Sequence, residues 1–289
     1  MTKVVNDNYP LSNDELKAKI VSEGLTSGGS TPISTQPALN VPTEVIELPS
    51  KGYFYPEGHP LSSGKVEMKY MTAKEEDILA SPNLIKQGVV IDKLLQSLLV
   101  TKVNFNEILT IDKNAIFIAA RILAYGNDYE VEITCPSCGA KETKNVDISD
   151  FSEKEIDWSK FTKGQTTFDF TLPAGKQTLT LRLLTHGDEL KIEEELKSAK
   201  KLSKLTGIDP ELTTRLKYTV AAVNGDTNRA VINTTVDSML SRDSLALRRF
   251  LKEVTPDIDT TFSYACSACG HEQEKMQMPI GVGFFWPGA

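Results

Sequence analysis

Two stretches of the chain alternate apolar and polar residues and then pass into the same kind of helix start. Val66-Glu67-Met68-Lys69-Tyr70-Met71 leads into Thr72-Ala73-Lys74-Glu75-Glu76, and Leu179-Thr180-Leu181-Arg182-Leu183-Leu184 leads into Thr185-His186-Gly187-Asp188-Glu189. A period of two predicts a half-buried strand. The threonine that follows predicts a helix N-cap, and carboxylates in the first turn oppose the helix dipole. A Leu-Pro turn precedes both strands, as Leu48-Pro49-Ser50 in the first case and Leu172-Pro173-Ala174-Gly175 in the second.

Helical periodicity follows in each series. Ile91, Leu94, Leu95, Leu98 and Leu99 fall on one face, and Asp112–Tyr125 predicts a mostly buried helix stopped at Gly126. In the second series Glu193 and Lys197 stand i,i+4 on a solvated helix, and Leu212, Leu216, Val220 and Val223 predict another. Asn224-Gly225-Asp226 predicts a turn of hairpin type. Leu247, Phe250, Leu251 and Val254 then line one face of a helix that Pro256 ends. Both series close on a strand, a Cys-x-x-Cys-Gly knuckle and a second strand. This matching order predicts an α+β fold of two diverged strand–helices–strand units, 43–150 and 151–289, the product of a duplication. Residues 1–42 read differently. Val21–Pro32 is linker in composition, Asn13–Val21 offers one short helix, and the whole predicts a disordered arm that can order on a partner.

The knuckles are Cys135-Pro136-Ser137-Cys138-Gly139 and Cys266-Ser267-Ala268-Cys269-Gly270, and they hold every cysteine of the chain. Four thiolates in two chelating pairs, Cys135 and Cys138 with Cys266 and Cys269, predict one closed structural Zn2+ site per chain. Each glycine suits a tight turn that aims backbone N–H groups at sulfur. A redox CxxC requires the N-terminus of a helix, and neither knuckle has that context. If each unit donates half of one site, the metal lies near a pseudo-twofold axis. Lys141, Lys144, His271 and Lys275 flank the knuckles and are positioned to soften the charge of a four-thiolate site.

Composition narrows the function. The 289 residues are 40% hydrophobic and 25% charged, with net charge −7. The charges are interspersed, no basic stripe advertises nucleic acid, and the aromatic and arginine interleaving of a nucleic-acid-binding ribbon is missing. The polar Met1–Asp7 start has no signal-peptide pattern, and Ala115–Tyr125, interrupted by Arg121, is too short to span a bilayer. No pair among His59, His186 and His271 has ligand spacing, and the acidic runs Glu75–Asp77 and Glu193–Glu195 read as solvated helix faces. Nothing here predicts catalysis. The closing Pro279–Pro287 is strongly apolar, and Phe284, Phe285 and Trp286 are candidate partner contacts, as are Tyr53, Phe54 and Tyr55.

Several of these segments, taken in order, resemble the T4-type bacteriophage baseplate protein family, the hub assembly proteins of contractile-tailed phages. The resemblance rests on Leu48-Pro49-Ser50-Lys51-Gly52-Tyr53-Phe54-Tyr55, on Met71–Asp77, and on Asp112–Ala115 through Arg121–Gly126. It also rests on the first knuckle and on Phe284-Phe285-Trp286-Pro287, and covers about residues 44 to 287. It implies a non-enzymatic role in building the central hub, as structural subunit or assembly factor. The implied partners are other hub or tail proteins, with the tape-measure protein a further candidate, and neither nucleic acid nor membrane. The implied location is the host cytoplasm during tail assembly, and the virion baseplate if the protein is retained. The alternative from another class is a nucleic-acid-binding zinc-ribbon regulator, which steeply salt-dependent filter binding would reveal.

Overall fold

The computed structural model describes residues 41–207, 209–278 and 282–285. The expected arm helix, the linker and Trp286 lie outside the described residues. Among the described residues the architecture is mixed α+β, with eight α-helices and small antiparallel sheets.

β1 (Thr43–Glu47) and β2 (Lys65–Lys69) pair antiparallel, and the loop between them carries the Leu-Pro turn. Leu48 at its start is fully buried. Gly52 has φ 76, and a Cβ there would lie 2.3 Å from the Ser62 carbonyl oxygen. Only glycine fits, so Gly52→Ala will cost roughly 3 kcal/mol through combined clash and strain, read as a lowered Tm.

α1 (Ala73–Leu79) starts at the predicted Thr72, whose backbone N–H and hydroxyl both donate to Glu75. Lys69 and Ser97 donate to the other Glu75 oxygen. Burial alone would raise this carboxyl, but the hydrogen bonds from Lys69, Thr72 and Ser97 outweigh it and hold the group at about 2. α2 (Pro82–Gln87) and α3 (Val90–Leu98) follow, and α3 buries Leu94, Leu95 and Leu98. α4 (Thr110–Tyr125) ends at Gly126 and carries a thick apolar face, with Ile116 fully buried. The alternating strand β3 (Asp128–Thr134) and β4 (Lys141–Asp147) form the first knuckle hairpin, with Tyr129, Val131 and Ile133 turned inward.

The second half repeats this order with additions. β5 (Ser152–Glu153) precedes the hairpin of β6 (Thr167–Thr171) and β7 (Thr178–Arg182). Helix α5 is His186–Thr206, and α6 is Glu211–Thr219. The expected helix through Leu212, Leu216, Val220 and Val223 stops at Thr219. Val220–Val223 is instead strand β8, added to β7 to make a three-stranded sheet. The β-branched ends of Val220-Ala221-Ala222-Val223 suit a pleated, buried position, and pairing with β7 overrides the helical spacing. Asn224 and Gly225 take positive φ as a tight turn requires, and Val223 and Asp226 close the turn with a reciprocal antiparallel bridge that no longer strand extends among the described residues. α7 (Arg229–Asp237) and α8 (Ser241–Val254) come next, and α8 ends ahead of Pro256 as expected. β9 (Ile258–Asp259) pairs with β5, and β10 (Thr261–Ala265) with β11 (Glu272–Gln277) forms the second knuckle hairpin.

The correspondence between halves extends to individual hydrogen bonds. Arg182 and the Thr185 backbone and hydroxyl hold Asp188 at the start of α5, with the same residue spacings as Lys69, Thr72 and Glu75. Asp112, third in α4, accepts from the Ser50 backbone and hydroxyl and from the Tyr55 hydroxyl. Asp243, third in α8, accepts from the backbone of Ala174 and Gly175. In each half an aspartate on the helix before the knuckle thus seizes the Leu-Pro turn. Asp112 and Asp243 stand 131 residues apart, as do Cys135 and Cys266.

One hydrophobic core runs through both halves, from Leu48 and Leu94 through Ile116 to Leu179, Leu247 and Phe284. Direct ties reinforce it. The Thr110 N–H donates to the Leu184 carbonyl and the His186 N–H to the Ile108 carbonyl, while β5 joins β9. Buried His186 lies 3.2 Å from Asp92 and 3.0 Å from the Lys113 ammonium, and burial followed by that cation pushes its pKa down.

Burial raises the Asp112 carboxyl to about 6 despite the hydrogen bonds from Ser50 and Tyr55. A folded-state pKa above the unfolded value means that the folded chain binds the proton more tightly. This group's contribution is therefore fully present below about pH 4 and is lost as pH rises through about 6. Asp112→Asn removes that dependence. Between pH 4 and 7, Tm of the variant will rise more steeply, or fall less, with pH than Tm of the parent.

Candidate metal centre

The knuckles form at the tips of the two hairpins through the same local geometry. The Cys135 N–H donates to the Ala140 carbonyl and the Gly139 N–H to the Cys135 carbonyl. The Cys266 N–H donates to the His271 carbonyl and the Gly270 N–H to the Cys266 carbonyl. Gly139 has φ 73 and Gly270 φ 70, with open space where a Cβ would go. Backbone conformation, not crowding, selects glycine here. Alanine at either position will cost about 1 kcal/mol through its left-handed φ alone, measurable as a small loss of Tm in metal-loaded protein.

All four sulfurs lie within 4.8 Å of one another. Cys135 Sγ is 3.8 Å from Cys269 Sγ, and Cys138 Sγ is 3.8 Å from Cys266 Sγ. The close pairs cross between knuckles reciprocally, first cysteine to second, as a twofold relation demands. No disulfide joins the four. Zinc–sulfur bonds of ~2.3 Å in a tetrahedron set sulfurs about 3.8 Å apart, so the cluster fits a closed four-thiolate site. Cys135 and Cys266 are buried whereas Cys138 and Cys269 are exposed. The Cys138 amide N–H, aimed at Cys135 Sγ with that of Ser137, brings the Cys135 thiol down to about 6. Burial opposes the same change at Cys266, but the Cys269 amide, the Tyr264 hydroxyl and the Ala268 amide together outweigh it. The first cysteine of each knuckle thus favours thiolate, the form a metal binds. At Cys138 the Ala140 amide favours thiolate too, but the neighbouring sulfurs of Cys269, Cys135 and Cys266 outweigh it and push the thiol up to about 12.

Three flanking lysines have carboxylate partners. Lys141 pairs with Glu132, Lys144 with Glu142, and Lys275 with Asp259. Glu142 is a residue that sequence reasoning missed. Its carboxylate on β4 accepts from the Tyr264 hydroxyl at 2.6 Å and the Ser267 hydroxyl at 2.8 Å, both on the other hairpin. Those bonds hold its pKa at about 2. This clasp lies beside the sulfurs and ties the hairpins together without metal. Nothing in the sequence distinguished Glu142 from the other carboxylates of a polar strand.

The candidate aromatic contacts separate into two groups. Phe54 and Tyr55 are buried, and Tyr53 is half-buried against Trp158 at 4.6 Å. Phe54 packs with Phe161 and Phe168, and the Tyr55 hydroxyl bonds Asp112. Phe284 and Phe285 are each only 1% exposed and pack on Phe117, with Phe284 also edge-on to Tyr129. The guanidinium of Arg121 lies over the Tyr125, Tyr129 and Phe284 rings and donates to the carbonyls of Gly126 and Asp128, closing the C-terminus of α4.

The family model described as T4 bacteriophage base plate protein matches residues 43–286. The chain belongs to this baseplate family. The match spans the Leu-Pro loop, both helix series and both knuckles, and begins where β1 begins. No curated protein and no solved structure matches the chain significantly. Membership supports a structural or assembly role in the phage baseplate, with other baseplate or tail proteins as partners. No helix among the described residues is long and apolar enough to cross a membrane.

Proposed function

We propose that this baseplate-family protein acts, without catalysis, in assembly of the central hub, and that one structural zinc fastens two duplicated halves, 43–150 and 151–289. The reciprocal sulfur pairing, Cys135 with Cys269 and Cys138 with Cys266, carries the zinc reading. Four thiolates fill the coordination shell, so the metal would hold the two hairpins and leave no position for a substrate. The repeated aspartate-to-turn bonds at Asp112 and Asp243 support the duplication. Bound zinc would supply fixed geometry, and Glu142 keeps the hairpins in register beside it.

In this reading the hub proteins are the clients, and assembly occurs in the host cytoplasm. Tyr53, which keeps accessible surface beside Trp158, is the member of the first aromatic group best placed to meet a partner. Mass spectrometry of purified particles against infected lysate tests the role. Presence in particles assigns a structural subunit, and presence in lysate alone assigns an assembly factor. Intact baseplates in the absence of the gene would end both versions.

A further inference from the structure

Helix α8 divides cleanly into two faces. Leu247 and Val254 are buried and Phe250 packs on Phe168 and Phe170, while Arg242, Leu245, Arg248, Arg249 and Lys252 are exposed on the opposite side. Leu240, just ahead of the helix, is 57% exposed and Leu245 is 41% exposed. The four cations make no ion pair among the described residues, and the carboxylates of the helix are engaged elsewhere. Asp243 is buried against Ala174 and Gly175, and Glu253 pairs with Lys160. A chain of net charge −7 thus sets four unpaired positive groups on the helix face that carries exposed Leu245, with exposed Leu240 at the N-cap just ahead of it.

The duplicated counterpart, α4, treats the same face differently. At the matching offset of 131 residues, Arg242, Arg248, Arg249 and Lys252 correspond to Ile111, Phe117, Ile118 and Arg121. Ile111, Ile118 and Arg121 are buried, and Phe117 stacks under Phe284. The chain covers this face in its first half and leaves it open, and basic, in its second.

We propose that the outer face of α8 docks an acidic surface of another baseplate protein, one whose carboxylates surround an apolar side chain that seats against Leu245. This rests on the baseplate reading and names the surface by which the protein joins its neighbours. Charge complementarity selects an acidic partner, because desolvated guanidinium groups need carboxylates and pair with them bidentately. The exposed leucines select protein over nucleic acid, since a phosphate backbone offers them nothing to bury against and the acidic remainder of the chain repels it.

The test uses the phage that carries this gene, with three alleles. The first is a deletion, the second carries Arg242→Glu with Arg249→Glu, and the third is a control reversing the exposed Lys93 and Lys102 to Glu. Purified protein from the second allele must match the parent in Tm and zinc content. The double reversal is expected to lower plaque yield roughly 100-fold or more, as the deletion does, because like charges then face each other. The control keeps parental yield. True revertants aside, restored plaques will carry an Asp or Glu changed to Lys or Arg in another tail gene. Parental yield from the double reversal overturns the proposal while leaving the baseplate reading intact. So do suppressors confined to this gene, self-association of the parent that the reversal abolishes, or salt-dependent DNA binding lost with it. Intact baseplates from the deletion would instead refute the baseplate reading itself.

Discussion

Under the proposed zinc reading, chelation of the metal, or replacement of Cys138 or Cys266 by serine, will lower the midpoint of thermal unfolding by roughly 10 °C or more. Structural zinc in small zinc-dependent modules binds with an apparent free energy of about 10 kcal/mol, comparable to the whole stability of a domain. Here the effect is smaller than that limit and local. The halves are also joined by the shared core, by the pairing of β5 with β9, and by the Thr110–Leu184 and His186–Ile108 bonds. Metal loss therefore frees the hairpin tips before it separates the halves. Hydrogen exchange will show the Gly139 and Gly270 amides losing protection together while the amides of α4 and α8 keep theirs. Global loss of protection on chelation would mean that the metal alone holds the halves. Unchanged protection at both knuckles would mean that it holds nothing.

Asp112→Ala carries the second large effect. The substitution leaves the Ser50 N–H, the Ser50 hydroxyl and the Tyr55 hydroxyl without their acceptor in a fully buried site. An orphaned buried donor costs about 1–3 kcal/mol, but burying the carboxylate is itself unfavourable and its removal recovers part of the loss. A net cost of about 3 kcal/mol follows, lowering Tm by roughly 6–12 °C. Asp243→Ala strands two partly buried backbone donors, those of Ala174 and Gly175, and will cost less, about 2 kcal/mol. Equal and negligible losses in the two variants, read by thermal or denaturant unfolding, would contradict the structural role assigned to both aspartates.

The periodic elements were legible in the sequence because burial imposes their spacing. The strands before Thr72 and Thr185, the helix ending at Gly126 and the helix ending ahead of Pro256 form where the pattern predicts. The clustering of the four cysteines was legible because chelation would fix such a spacing. Long-range pairing was not. Val220 and Val223 continue a helical period, and only the neighbouring β7 makes them a strand. The aspartates were readable in principle, as Leu109-Thr110-Ile111-Asp112 and Leu240-Ser241-Arg242-Asp243 both stand the same distance ahead of a knuckle. The clasp at Glu142 and the cluster around Trp158 depend on which surfaces meet, which neither spacing nor composition encodes. The basic face of α8 hid for a different reason. Its cations are interspersed along the chain, and helical geometry gathers them.

Zinc-to-chain stoichiometry, measured by elemental analysis on the parent protein, Cys138→Ser and Cys266→Ser, tests the shared site most directly. One zinc per parent chain, lost from both variants alike, is the predicted result. Full metal retained by either variant, or two metals per parent chain, would contradict a single site built from both halves.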